Sequence, residues 1–398
     1  MKILLALILF LLLGLGAAPR IQGRLPFSRR FMLVGGEFLL LGWALGEQGL
    51  GFLDRSTLAD LEPLLILGLG WIGLLVGLQF EGTLLRRFPV AFYGAALGQG
   101  LITLGLLAVP LYLLLGHFFG AGPGTAGAAL FLAAAGSDSS QHVLTLALRE
   151  RRRTPHVPDH LFRYCAEVDT LIPLVAIALL AGLLHQRALL GAEQADALAA
   201  LRWLGLSTLL GLALGVLLTL LLKGARRPDH HLLALLGFLA LSGGLARVLG
   251  QPPLYVNFVA GVLTVNLLGH RDDTWQLAAA SERPFYTIFL LLVGAGWHLG
   301  SRWALPLGLA FFLLRLGGKF VGMALAGRLA LGRGVLPARA GLALSGQSGV
   351  SVAMVASFLS LERSTLADAS TTVLLVGFLL SALAAPWLTL RGLSREGA

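Results

Sequence analysis

The sequence predicts an all-α membrane protein of about thirteen transmembrane helices, arranged as inverted repeats with two discontinuous helices that cross at mid-membrane. Three observations carry that expectation. The 398 residues are 57% hydrophobic and only 13% charged, with a mean hydropathy of +0.83, a balance outside the range of water-soluble domains. Apolar runs of about 20 residues, enough to cross ~30 Å of hydrocarbon as helix, recur from one end to the other. Two of those runs are interrupted by small and polar residues at corresponding places in the two halves.

The first run, residues 3–18, has features of a signal peptide, since Lys2 precedes it and Gly16, Ala17 and Ala18 end it. Arg20, Arg24, Arg29 and Arg30 follow it, which favours an uncleaved helix with the N-terminus outside. Runs over 31–53, 61–80 and 90–118 come next, the last beginning just after Arg86 and Arg87. The fifth run, 125–148, is broken by Gly136-Ser-Asp-Ser-Ser-Gln-His142, and the sixth covers 161–184. Runs over 197–222, 232–249, 254–268, 285–299 and 303–331 follow. The twelfth, 335–359, is broken by Ser345-Gly-Gln-Ser-Gly-Val-Ser351, and the last covers 369–390. Irregular backbone at membrane depth survives only where protein buries it or water reaches it. Each broken run is the middle helix of a three-helix group, which is the pattern of a repeat.

Arginine and lysine gather in alternate loops: Arg149 to Arg153 around Glu150, then Lys223, Arg226 and Arg227, then Arg271 and Arg283, then Arg328, Arg333 and Arg339. The intervening loops hold mostly single arginines such as Arg55, Arg302 and Arg363. That alternation puts the C-terminus, with Arg391 and Arg395, in the cytoplasm and suits a bacterial inner membrane. It also accounts for the net charge of +10 without nucleic acid as a partner. Cys165 is the only cysteine, so an intrachain disulfide is excluded. Pro228-Asp-His-His231 has no further cysteine or HExxH helix to make a zinc site. Glycine pairs at 42 and 46, 73 and 77, 211 and 215, and 318 and 322 have the spacing of close helix contacts. The chain is one membrane domain.

A charge near the bilayer centre costs at least ~2.5 kcal/mol, so the few inside the runs are weighed singly. Glu167 and Asp169 point about 200° apart on a helix and cannot form one carboxylate pair. Glu167 lies one turn from Arg163, so an ion pair would account for it, whereas Asp169 has no local partner and is the candidate ion carrier. Pro173 lacks the N–H that would bond the Asp169 carbonyl; that oxygen is either an extra cation ligand or the site of a simple kink. Lys319 keeps lysine mid-run in a chain with only two others, Lys2 and Lys223, and lysine, unlike arginine, can release its proton. Arg315, one turn earlier, reads as a fixed charge for nearby helix ends. Asp138, with Ser139 and Ser140, either balances those helix ends or coordinates the ion. Glu37 reads as a packing or loop-pairing residue, and His142 and His298 as structural histidines.

The ordered set of segments GGEFLLLGWALGEQGLG from Gly35, GLLVGLQFEGTLLRR from Gly73, SDSSQHVLTLALRER from Ser137, YVNFVAGVLTVN from Tyr255, RPFYTIFLLLVGAGWHLG from Arg283 and LGGKFVGMALAGRL from Leu316 resembles the monovalent cation:proton antiporters. The branch it resembles holds NapA-like sodium/proton antiporters and Kef-type potassium systems. The resemblance implies a homodimer of NapA/NhaA-like fold in which a core bundle over about 88–185 and 303–391 moves against dimerisation and scaffold helices over about 1–80 and 197–300. It also implies exchange of Na⁺ or K⁺ for H⁺, no cofactor and no enzymatic activity. By that likeness Asp169 falls at the acidic ion-binding pair, with Thr170 and the oxygens of Asp138, Ser139 and Ser140 helping. Lys319 falls at the mid-membrane lysine, and Arg315, Gln347 and Ser348 support the site. The pair is usually Asp-Asp, Asn-Asp or Gln-Asp; here Val168-Asp169-Thr170 stands in its place, and the acid often found near Ser348–Val350 is replaced. Two other readings remain: a related protein with a different substrate, such as an organic anion or a metal ion, or a sensor that does not transport; and an intramembrane serine protease, since Gly346-Gln-Ser-Gly349 matches a nucleophile turn that His298 could serve.

Overall fold

Apolar runs become helices here because hydrocarbon offers no partner for backbone N–H and C=O, which must then bond within their own segment. The computed structural model describes residues 35–150, 157–190, 197–224, 228–268, 272–337 and 339–393, and every regular element among them is helical. The first expected span lies outside the described residues, as do Arg20, Arg24, Arg29, Arg30, Arg151 to Arg153, Arg226, Arg227, Arg271 and Arg395.

The chain runs through α1 (Gly36–Leu45), α2 (Arg55–Asp60), α3 (Glu62–Leu78), α4 (Gly82–Leu85), α5 (Val90–Phe119), α6 (Pro123–Ser137), α7 (Gln141–Glu150), α8 (Val157–Val168) and α9 (Leu171–Leu190). It continues through α10 (Ala197–Gly224), α11 (Pro228–Val248), α12 (Pro253–Leu268), α13 (Asp272–Ala295) and α14 (Ala304–Leu331), a 3-10 turn at Ala340–Leu344, then α15 (Gly349–Leu361) and α16 (Thr365–Leu393). Among the described residues, six helical stretches are long and apolar enough to cross a membrane: Val90–Phe119, His160–Gln186 (running through α8 and α9), Ala197–Gly224, His230–Val248, Ala304–Leu331 and Thr365–Leu393.

Several expected runs are redrawn. The second shrinks to α1, whose end at Gly46 turns back so that the Leu50 and Leu53 amides bond the carbonyls of Ala44 and Leu45. The seven-residue interruption of the fifth run narrows to Asp138–Ser140, and that of the twelfth to Ser345–Ser348. Small polar residues such as Ser137 and Ser351 stay helical because their hydroxyls bond carbonyls inside the protein. The sixth run is itself divided, at Asp169–Thr170, between α8 and α9. Pro173 then sits in the first turn of α9, where a missing N–H costs nothing.

α5 packs along α14, while α3 packs on α12, which packs on α10. Glycine makes these contacts close. A Cβ on Gly73 would lie 2.1 Å from the Leu254 carbonyl oxygen, and one on Gly322 would lie 2.7 Å from that of Gln99. Gly318 and Gly322 bracket Lys319, so the face of α14 that approaches α5 carries the lysine into the bundle. Exposed leucines and valines, including Leu101, Val109 and Leu113 on α5 and Leu209, Val216 and Leu220 on α10, face outward, as a lipid-facing surface requires.

Candidate functional site

The two interruptions meet. The Ser140 amide donates to the Gly346 carbonyl at 3.0 Å, joining the break after α6 to the break before α15. Away from the crossing, Phe131 of α6 stacks on Phe358 of α15 with centroids 4.2 Å apart. Helix ends that converge leave carbonyls on one side and amides on the other, and charged side chains answer both.

Arg315 answers the carbonyls. Buried completely, it donates through Nη2 to the Asp138 carbonyl at 2.7 Å and the Gly346 carbonyl at 2.9 Å, and through Nη1 to the Ser345 carbonyl. Asp138 answers the amides. Its Oδ2 accepts from the Ser348 amide at 3.2 Å, from the Ser348 hydroxyl and from the Ser351 hydroxyl at 3.0 Å. Its Oδ1 accepts from the Thr170 hydroxyl at 3.1 Å. Ser348 is also the N-cap of α15, accepting from the Val350 amide at 3.1 Å. Gln347 donates to the Ala135 carbonyl at 3.3 Å.

Asp169 comes to this crossing at the break between α8 and α9. Its Oδ2 accepts from Lys319 Nζ at 2.9 Å, Ser139 Oγ at 2.6 Å and Gln99 Nε2 at 2.8 Å. Lys319 also donates to Ser139 Oγ at 2.7 Å and to the Ser137 carbonyl. Both members of the Lys319–Asp169 ion pair are 0% exposed. Two carboxylates, Asp138 and Asp169, therefore share one enclosed site with two cations, Arg315 and Lys319. That balance and the hydrogen bonds around it are what make so much buried charge tolerable.

The structure brings together Asp138, Ser139, Ser140, Asp169, Thr170, Arg315, Lys319, Gln347 and Ser348, and leaves Glu167 apart. Glu167 lies on α8 with Arg163 one turn before it, and the Arg163 charge acts on its carboxyl, although the two do not close into an ion pair within 4.0 Å. The Asp169 carbonyl is not free. Because α9 starts anew after the break, the Ile172 amide reaches back to it at 3.1 Å. Thr170 spends its hydroxyl on Asp138 and on the Ala166 carbonyl at 3.3 Å. Gln99 and Ser351 are contacts the sequence reading did not single out. The available signal for Gln99 was a lone amide in the middle of an apolar run, between Gly98 and Gly100.

A family model described as "Sodium/hydrogen exchanger, transmembrane" matches residues 37–390. The chain belongs to that family. It is accordingly an integral membrane transporter and not an enzyme. The geometry agrees in rejecting the protease reading: the Ser348 hydroxyl donates to Asp138, while His298 faces Glu47 at 3.2 Å and the Gly296 carbonyl at 2.8 Å. In fold, this exchanger-family chain is similar to the solved sodium proton antiporter MjNhaP1 from Methanocaldococcus jannaschii at pH 8. The TM-score is 0.68 at 17% identity, with 100% of each chain covered. No curated protein matches the chain by sequence.

Proposed function

We propose that this protein exchanges a monovalent cation, Na⁺ or K⁺, for protons by alternating access, with Asp169 as the exchanging carboxylate. One observation carries the reading: a fully buried Asp169–Lys319 pair at 2.9 Å stands where two interrupted helices cross. With no cation bound, Lys319 neutralises Asp169. An incoming cation competes for the carboxylate, Lys319 is displaced from it, and a proton leaves the site so that its charge stays balanced. Proton and cation therefore occupy the site by turns, and their fluxes are coupled. Asp138, held by Thr170, Ser348 and Ser351, keeps the crossing polar beside Asp169, and Arg315 ties the carbonyl ends in place.

The groups α5 to α9 and α14 to α16 serve as inverted repeats forming a core over about 88–185 and 303–391. That core moves against scaffold helices over about 1–80 and 197–300, through which two copies dimerise. The count of about thirteen spans, the outside N-terminus, the cytoplasmic C-terminus and the bacterial inner membrane belong to the same reading. The test is proton flux in proteoliposomes on adding Na⁺ or K⁺. Wild type should respond saturably, and Asp169→Asn should not. An Asp169→Asn variant that exchanges at the wild-type rate refutes the scheme, and a wild type that answers neither cation favours the sensor or different-substrate reading.

A further inference from the structure

Asp169 is bonded on one side only. Its Oδ2 takes three donors, from Gln99, Ser139 and Lys319, while its buried Oδ1 takes none. Gln99 is bonded just as unevenly. It is 0% exposed on α5, its Nε2 donates to Asp169 at 2.8 Å, and its Oε1 has no donor. The carboxylate dictates that orientation, because only the NH₂ of a carboxamide can face an anionic oxygen, which leaves the amide oxygen over. Buried acceptors without donors are uncommon and call for an explanation. Here two of them belong to side chains joined by a single hydrogen bond.

The neighbouring side chains cannot supply what is missing. Val168 is aliphatic and packed in the core beside Tyr164 and Cys165, and the Thr170 hydroxyl is committed to Asp138 and Ala166. Carboxylate and carboxamide oxygens are the donors a hard cation takes. We infer that Gln99 is a ligand of the transported cation, its Oε1 acting with Asp169 Oδ1, and that this pair sets the preference among monovalent cations. The inference rests on the antiport reading above and adds to it a ligand from α5, a helix that none of the interruptions marks.

The experiment measures flux against cation concentration for Li⁺, Na⁺ and K⁺ in proteoliposomes of wild type, Gln99→Leu, Gln99→Glu and Gln99→Asn. Gln99→Leu removes the oxygen and should raise the KM for the preferred cation about tenfold or more, and level the preference among the three. Gln99→Glu keeps an oxygen at the same reach but cannot donate to the Asp169 carboxylate. It should retain saturable cation response at alkaline pH, where a residue that only held Asp169 in place would fail as Gln99→Leu does. A Gln99→Leu variant with wild-type KM and preference overturns the inference, as does a Gln99→Glu variant that loses the cation response. Should Gln99→Leu not reach the membrane, Gln99→Asn decides: withdrawing the oxygen by one methylene raises KM if Gln99 is a ligand, and an unchanged KM overturns the role. Wild type with no response to any cation is a different failure, that of the antiport reading.

Discussion

Replacing Arg315 by methionine should unfold the crossing at a lower temperature. The guanidinium bonds three carbonyls, those of Ser345, Asp138 and Gly346, from a fully buried position. Gly346 keeps the Ser140 amide at 3.0 Å, so the loss falls mainly on Ser345 and Asp138. A hydrogen bond from a charged donor contributes about 1.5–3 kcal/mol, and removing one member of a buried charge set costs about 3–5 kcal/mol. The two routes agree on roughly 4 kcal/mol. In detergent, tryptophan fluorescence should report a melting temperature lower by an amount on the order of 5–10 °C. Arg315→Lys should recover only part of this, since an ammonium is a point charge without the planar fork. Combining Arg315→Met with Asp138→Asn restores charge balance and should bring no recovery, because the carbonyls stay uncapped and the introduced carboxamide disturbs the bonds to Ser348 and Ser351. An Arg315→Met protein that melts at the wild-type temperature refutes this account of the crossing, and recovery in the double variant shows that charge balance, not capping, governs.

Gly73→Ala places a Cβ 2.1 Å from the Leu254 carbonyl oxygen, forcing α3 off α12 at a cost of about 1–3 kcal/mol. Gly105→Ala on α5 meets nothing within 4 Å and should be neutral or stabilising by about 0.5–1 kcal/mol, so the two melting curves should part in opposite directions. At the α1 end, hydrogen bonds from His298 and Arg55 hold the Glu47 carboxyl below its ordinary value of 4.5. A carboxyl whose folded value is depressed stabilises the fold above its ordinary value and loses that contribution as pH falls through the lowered one. Glu47→Gln should therefore melt slightly below wild type at neutral pH, with the two curves converging below pH 4.5; a gap that persists in acid would show that the pairing is not what holds this loop.

The apolar runs, the two interruptions and the rare intramembrane charges can be read directly from the sequence, because each is a local property. Run length reports hydrocarbon thickness, and a charge in oil stands out wherever it sits. Lys319 and Asp169 are visible for that reason, as is Arg315. Their neighbours are not. Asp169 and Lys319 are 150 residues apart and Gln99 and Asp169 are 70, and no local pattern encodes which buried donor will face which acceptor. Gln99 does not stand out in the sequence because a single neutral amide among glycines costs little by itself; its significance comes from the carboxylate that α8 and α9 bring to it. The expectation that fails is also a local one. The free Asp169 carbonyl assumes a continuous helix, and the break at Asp169–Thr170 removes that premise. The sequence alone thus determined that the chain spans a membrane and carries charge inside it. Only the tertiary structure decided how that charge is paired, because pairing depends on two helix breaks meeting in space and on glycines that let α14 approach α5.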